Sequence, residues 1–232
     1  MFFLTLINAA FASSSDAARS VAFEAADAMI EARSDALESL EMESEIGAEL
    51  LHTLQLFDAA VALCDPVQIL KISKEAQAAA ERLKLAEEHS LLDAFYIDAD
   101  SLTREALYIS RVPGNASGRV KWLAAQSDFS AAVAKLRDAR EAVVLARRSY
   151  FKAENDSAVA LGGLAVAIRS AASHPGRLER LSLARKKEEY RSISFDRIGA
   201  LKEFIEIKKF QFQAAEKLMH ATLRLVAASL RL

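Results

Sequence analysis

The chain has 232 residues, 52% of them hydrophobic, with 7 glycines, 3 prolines and a net charge of −2. So few turn-formers exclude a fold of short strands and turns and point to an all-α protein with few connections. The single cysteine, Cys64, excludes an internal disulfide and suits a reducing compartment, where a lone thiol acts as a small apolar residue.

The opening stretch Met1–Ser13 is apolar but lacks the basic start and the usual length, about 15–30 residues, of a secretory signal. Residues 1–15 are therefore expected to be a short N-terminal segment, either an apolar start to the first helix or an amphipathic anchor. A single helical domain is expected over 16–232, with Ser13, Ser14, Ser15 and Asp16 capping its first helix. From Ala17 to Leu63 only Gly47 weakens the helix. Phe23, Ile30, Leu37, Leu40, Ile46, Leu50, Leu54, Phe57 and Val61 keep a helical period. Glu38, Glu41, Glu43, Glu45 and Glu49 give it an acidic, solvated side. No stretch approaches 18 uncharged apolar residues, so no membrane-spanning helix is expected.

Asp65–Pro66 marks a turn or kink, because the residue before proline avoids the α region. A second helical stretch, Lys71–Ser110, carries Ile72, Ala76, Ala79, Leu83, Leu91, Leu92, Phe95, Leu102, Leu107 and Ile109. Val112–Gly118, with Pro113 and Gly114, is the strongest turn signal in the chain. Its Asn115–Ser117 matches a glycosylation sequon, a short motif common by chance. Arg119 to Ala153 is again helical, with Val120, Leu123, Phe129, Val133, Leu136, Val143 and Val144 on its apolar side. Ala158–Ala172 is small and apolar, softened by Gly162 and Gly163, and Ser173–Gly176 closes the segment with Pro175.

The last stretch, Gly176–Leu230, has no proline. Ile198, Leu201, Ile205, Phe212, Ala215, Met219, Thr222 and Val226 recur at threes and fours, broken once by Lys208. A second row, Tyr190, Ile193, Phe204, Leu218 and Leu225, widens that face. Such a helix would be about 80 Å long at roughly 1.5 Å per residue. The expected architecture is an elongated antiparallel bundle of three long kinked helices, with its sharpest reversal at 173–176.

No catalytic constellation is present, and the reading is of a non-enzyme without cofactor or metal. His52, His89, His174 and His220 lack partners at metal-ligand spacing. Gly162–Gly163 lacks the lysine and hydroxyl of a phosphate loop, and Ser101, Ser149 and Ser194 sit in no nucleophile motif. Charge is the informative feature. Residues 1–100 hold 19 acidic and 6 basic side chains, whereas residues 101–232 hold 13 acidic and 24 basic ones. Arg147, Arg148 and Lys152 precede the reversal near Pro175; Arg169, Arg177, Arg180, Arg185, Lys186 and Lys187 flank it. Lys135, Arg137 and Arg140 continue the basic side upstream. Clusters of four to eight Lys/Arg attract anionic headgroups at about 1 kcal/mol per charge. Nucleic acid is the weaker reading, because exposed aromatics and any recognised binding motif are missing.

Three long helices with a basic tip before the last one resemble a BAR domain, of the sorting nexin type. Arg119, Lys121, Trp122 and Leu123, followed by Phe129, Val133, Leu136, Arg140 and Glu141, look like the second helix of that family. Phe195, Asp196, Arg197, Ile198, Leu201, Lys202, Glu203 and Phe204 are similar to the start of its final helix. Pro113–Gly114 departs from the pattern, as does the apolar 155–172 region. The resemblance implies a crescent-shaped antiparallel homodimer that senses or imposes curvature on anionic or phosphoinositide-containing membrane. It implies a peripheral place on the cytoplasmic side of endosomes, with retromer-type sorting proteins as partners. Phe57, Phe95, Trp122, Phe129 and Phe210 are the candidates for the dimer interface, and kinks near Pro66 and Pro113 would supply curvature. Two other classes compete. One is a structural coiled-coil adaptor that binds a protein. The other is a lipid-inserting helical protein using Met1–Phe11 and Ala158–Ile168.

Overall fold

The computed structural model describes residues 2–63, 66–109, 116–174 and 176–229. All described elements are helices: α1 Phe2–Leu63, α2 Pro66–Glu88, α3 Leu92–Ile109, α4 Ala116–Ser173 and α5 Arg177–Ser229. The expected buried thiol at Cys64, the turns at Asp65 and Val112–Asn115 with the Pro113 kink, Pro175 and Leu230 lie outside the described residues.

The helices are longer at one end and shorter at another than the residues suggested. α1 starts at Phe2, so Ser13–Asp16 lie inside a helix instead of capping one. The apolar opening continues straight into it, with no proline or glycine to stop it before Gly47. α4 likewise passes through Gly162 and Gly163 without a break. By contrast the second stretch is cut at His89–Leu91. Ser90 is the cause: its hydroxyl accepts from the Leu92 N–H (3.4 Å), and Asp93 stands in the first turn of α3. Ser90 and Asp93 form the serine-x-x-acid capping pattern. The exposed His89 ring bonds the Leu85 carbonyl at 2.8 Å and closes α2.

The chain forms two compact units. Unit 1 comprises Met1–Leu40, Ser90–Arg140 and Phe210–Leu232, and unit 2 comprises Glu41–His89 and Glu141–Lys209. Each draws its core from four helices, one more than the three arms expected. In unit 1, Ala36 and Leu40 of α1, Phe95 and Ala99 of α3, Phe129 and Leu136 of α4, and Phe212, Leu218 and Leu225 of α5 are buried together. Phe95 is fully buried against Phe212, with ring centroids 5.5 Å apart. Burying each such side chain is worth about 1.5–3 kcal/mol.

Unit 2 has two apolar clusters. Leu50 and Leu54 of α1, Leu83 of α2, Tyr150 of α4 and Leu201 and Phe204 of α5 make the first. Phe57 and Val61, Ile72, Leu164 and Tyr190 make the second, from the same four helices. Gly47 belongs here for a packing reason: a Cβ at that position would run into Ile205 of α5.

A seven-residue period explains why these helices face inward along their length. On α4, alanine recurs at 125, 132, 139, 146, 153, 160 and 167, alternating with Phe129, Leu136, Val143, Tyr150, Ser157 and Leu164. Nearly all of these are buried, whereas Val120, Leu123, Val133 and Val144, expected on the apolar side, are exposed. A strict heptad holds one seam toward the neighbouring helices. Alanine at every seventh place carries little hydrophobic signal, so the larger valines suggested the wrong phase. On α5 the expected stripe is the buried one, from Tyr190 to Val226.

One stretch within Ile30–Leu63 does have the length and mean hydropathy (1.3) to cross a membrane. It is not an uncharged run of the kind that the sequence lacks, since acidic residues such as Glu49 and Asp58 stand in it. We read it as a core helix, because Leu50, Leu54 and Phe57 are buried in unit 2 and Asp58 is hydrogen-bonded to α5.

Candidate functional site

Three sets of residues in unit 2 have chemistry that its apolar packing does not explain. The first is an ion cluster at seam positions of α1 and α5. Lys208, which broke the apolar stripe, turns inward to Glu43 and lies 3.5 Å from Glu87. Its ammonium also sits 5.4 Å from the centre of the Phe204 ring. Arg147 reaches the other oxygen of Glu87 at 3.5 Å. Glu43, expected on a solvated side, is therefore 4% exposed. Glu49 stays exposed as expected, and there pairs with Arg82 of α2.

The second set lies between the two apolar clusters of the unit. Asp58 of α1 accepts hydrogen bonds from the Ser194 hydroxyl (2.5 Å) and the Tyr190 hydroxyl (3.4 Å) of α5. Burial raises the Asp58 pKa, opposed by the Ser194 bond and by the charge of Arg197. Burial, with the Asp58 charge beside it, pushes Tyr190 up to about 12. Burial also raises Tyr150, helped by Glu154, so both phenols stay protonated at neutral pH. Arg197 stands on the same seam of α5, seven residues from Tyr190 and from Phe204. Its Nε and Nη2 are sealed from solvent and have no hydrogen-bond partner. A buried donor left unpaired costs about 1–3 kcal/mol, more when charged. Arg197 is on the wall of a cavity of about 400 Å³, with Leu50, Leu54, Phe57, Tyr150 and Phe204.

The third set is where α4 ends and α5 begins. Only His174, Pro175 and Gly176 separate the helices. Between residues 165 and 187 there are six Lys/Arg and one carboxylate, Glu179. Arg169, Arg177, Arg180 and Arg185 are exposed. Among them stand large apolar side chains that are also exposed: Val166, Leu178 (77%) and Leu181. Ile168 and Leu183 anchor this turn to the second apolar cluster, which also receives Ile69 and Ile72 of α2. The neighbouring ends of α1 and α2 add exposed Leu63, Val67 and Leu70.

The other basic residues singled out from the sequence are more engaged. Lys186 bonds Glu189 (2.7 Å), and Lys187 donates to the Ala62 carbonyl (3.2 Å). Arg148 and Lys152 are exposed; Lys152 shares a groove between α4 and α5 with Asp156, Lys186, Glu189 and Asp196. Arg147 is held by Glu87, with Phe151 5.5 Å from its guanidinium. In unit 1, Lys135 is exposed, Arg137 pairs with Asp138 (3.2 Å) and Arg140 forks onto Asp100 at 3.2–3.3 Å over the Tyr96 ring. Of the aromatic residues expected at a dimer interface, Phe57, Phe95 and Phe129 are buried within the chain. Trp122 packs partly against the unit 1 core, and Phe210 stays half exposed.

The fold and these sites define a class: an all-α protein of long heptad-patterned helices, with a polar layer inside one unit and a basic, apolar helix reversal. Comparison with family models, curated proteins and solved structures finds no match to this chain.

Proposed function

We propose that the protein binds anionic membrane surfaces through the α4–α5 reversal. The observation that carries this reading is the mixture at that turn: Arg169, Arg177, Arg180 and Arg185 exposed beside Val166, Leu178 and Leu181. Lys/Arg near a surface attract anionic headgroups at about 1 kcal/mol each. Apolar side chains left in water among them gain by entering the headgroup–acyl boundary. A solvated protein tip has use for the first feature but not for the second. The wider reading follows the likeness to sorting nexin BAR domains: an elongated homodimer acting on curved endosomal membrane within a sorting coat. The half-exposed Phe210, with Val120 and Leu123 one turn apart on α4, supplies apolar surface for a second copy.

Co-sedimentation with vesicles tests the lipid contact. Replacing Arg177, Arg180 and Arg185 together by Glu removes roughly 3 kcal/mol of attraction, more than 100-fold in affinity. These three are chosen because Lys186 and Lys187 are engaged within the protein. Binding should need anionic lipid and weaken with salt, since exposed charges are screened beyond about 8 Å at physiological ionic strength. Leu178→Ser with Leu181→Ser should weaken binding while leaving the salt dependence intact. A folded triple variant that binds anionic vesicles like the parent overturns the reading and favours a protein-binding adaptor. Dimerisation is checked by sedimentation equilibrium at micromolar concentration, where a mass of 25.3 kDa, that of one chain, would count against it.

A further inference from the structure

We infer that the α1–α2 corner enters an anionic bilayer together with the α4–α5 reversal, so that this whole end of unit 2 meets the headgroup–acyl boundary end-on. This deepens the proposed membrane contact and rests on it. The register of the helices shows which residues share that end. α1 runs antiparallel to α5, with Asp58 bonded to Ser194 and the Ala62 carbonyl accepting from Lys187 at 3.2 Å. α2 runs antiparallel to α4: Glu87 meets Arg147, while Ile69 and Ile72 share a cluster with Leu164 and Ile168. Gly163 of α4 lies against Lys186 of α5. Leu63, Val67, Leu70, Val166, Leu178 and Leu181 therefore fall within about nine residues along the axis, roughly 14 Å at about 1.5 Å per residue.

Those side chains come from all four helices of the unit, and every one is exposed. Leu63 (81%), Leu178 (77%) and Val67 (75%) are the most exposed large apolar side chains among the described residues. The core at this level is filled by others, namely Ile69, Ile72, Leu164, Ile168 and Leu183. The exposed set is thus a girdle round the end of the unit. A protein partner or a second copy docks on one face and would leave the rest of the girdle in water. A bilayer boundary surrounds what enters it and covers all four helices at once. The charges suit an anionic one. Residues 63–71 and 164–187 hold seven Lys/Arg against two carboxylates, Asp65 and Glu179. Lys187 is engaged by the Ala62 carbonyl, which keeps its charge at the corner beside Leu63. The basic excess stops at the inner edge of the girdle, where Lys71 and Lys186 pair with Glu75 and Glu189. Cations in excess, interleaved with apolar side chains, match anionic headgroups with acyl carbon behind them.

The test places a single tryptophan in a Trp122→Phe background, at Leu63, Leu70, Val166 or Leu178, or at Phe195 as a reference on the body of α5. Fluorescence is read with phosphatidylcholine–phosphatidylserine vesicles whose acyl chains are brominated, beside co-sedimentation of the parent with the same vesicles. Quenching is expected at all four girdle positions and not at Phe195, about 21 Å from Leu181 at about 1.5 Å per residue. Leu63→Ser with Leu70→Ser should weaken vesicle binding about 10-fold and leave its salt dependence intact. Circular dichroism confirms that each variant is folded, and the milder Leu63→Ala with Leu70→Ala should weaken binding in the same direction. Quenching at Val166 and Leu178 with none at Leu63 and Leu70 would overturn the girdle and leave the contact at the reversal standing. Quenching at Phe195 equal to the rest would mean a side-on contact and overturn it too. A parent that does not sediment with these vesicles would overturn the membrane reading itself. A double serine variant with a lower mass at sedimentation equilibrium, and no quenching at any position, would assign the girdle to a second copy and overturn the inference.

Discussion

The two units are built from the same three long helices, yet their interiors differ. The core of unit 1 is a single apolar cluster in which Phe95, Phe129 and Phe212 meet alanine and leucine. Unit 2 interrupts its interior twice, with Lys208, Glu43 and Glu87 and with Asp58, Ser194 and Arg197. Polar groups at seam positions give up stability and gain register, because a slipped helix would leave them unpaired. We read unit 1 as the part that holds the fold and unit 2 as the part that specifies alignment and carries the sites.

The sharpest test of this contrast is to remove one partner of the buried ion cluster. Lys208→Ala leaves Glu43 buried without its cation and should cost about 3–5 kcal/mol in denaturant unfolding. Lys208→Met combined with Glu43→Leu should recover much of that loss. A single variant no worse than a surface substitution would erase the distinction between the units. In unit 1 the matching probe is Phe95→Ala, expected to cost about 3–5 kcal/mol through transfer and cavity terms. No second substitution of opposite charge can rescue it, since only volume is missing.

A smaller effect is expected at the hydroxyl layer. Ser194→Ala removes the shortest bond to Asp58 and should cost about 1–3 kcal/mol, with the larger values at neutral pH where the carboxylate is charged. The smallest effect is in pH dependence. The Asp58 carboxyl has a folded pKa above its ordinary 3.8. Its protonated form is therefore favoured by folding. Its contribution is fully present below pH 3.8 and is lost as pH rises through the folded value. Relative to Asp58→Asn, the parent should lose stability over that rise, read by thermal unfolding from acid to neutral pH. A difference that is flat with pH, or that grows in the opposite sense, would mean that Asp58 is not desolvated as its place between the clusters requires.

Much of the fold was legible before any coordinates. Scarce glycine and proline implied long helices, and the threes and fours from Tyr190 to Val226 marked the face of α5 that is buried. The break at Ser90 was also legible, in the capping pattern completed by Asp93, but a run of leucines across it masked the signal. The alanine heptad of α4 runs from 125 to 167, but alanine resembles neither core nor surface in a hydropathy count, so the larger valines dominate the pattern. Each of these is local. Helix-forming tendency, capping and period act over a few turns of one segment, so the chain by itself determined them. What Lys208, Glu43 and Arg197 do could not be decided that way. A charge on an apolar stripe is a flaw or a site according to what another helix places opposite it, and those partners lie 165 residues away for Lys208 and Glu43. Only the tertiary structure brings Glu43 and Glu87 to Lys208 and sets Arg197 near Asp58, because burial and Coulomb attraction depend on distance in space, whereas sequence pattern records distance along the chain.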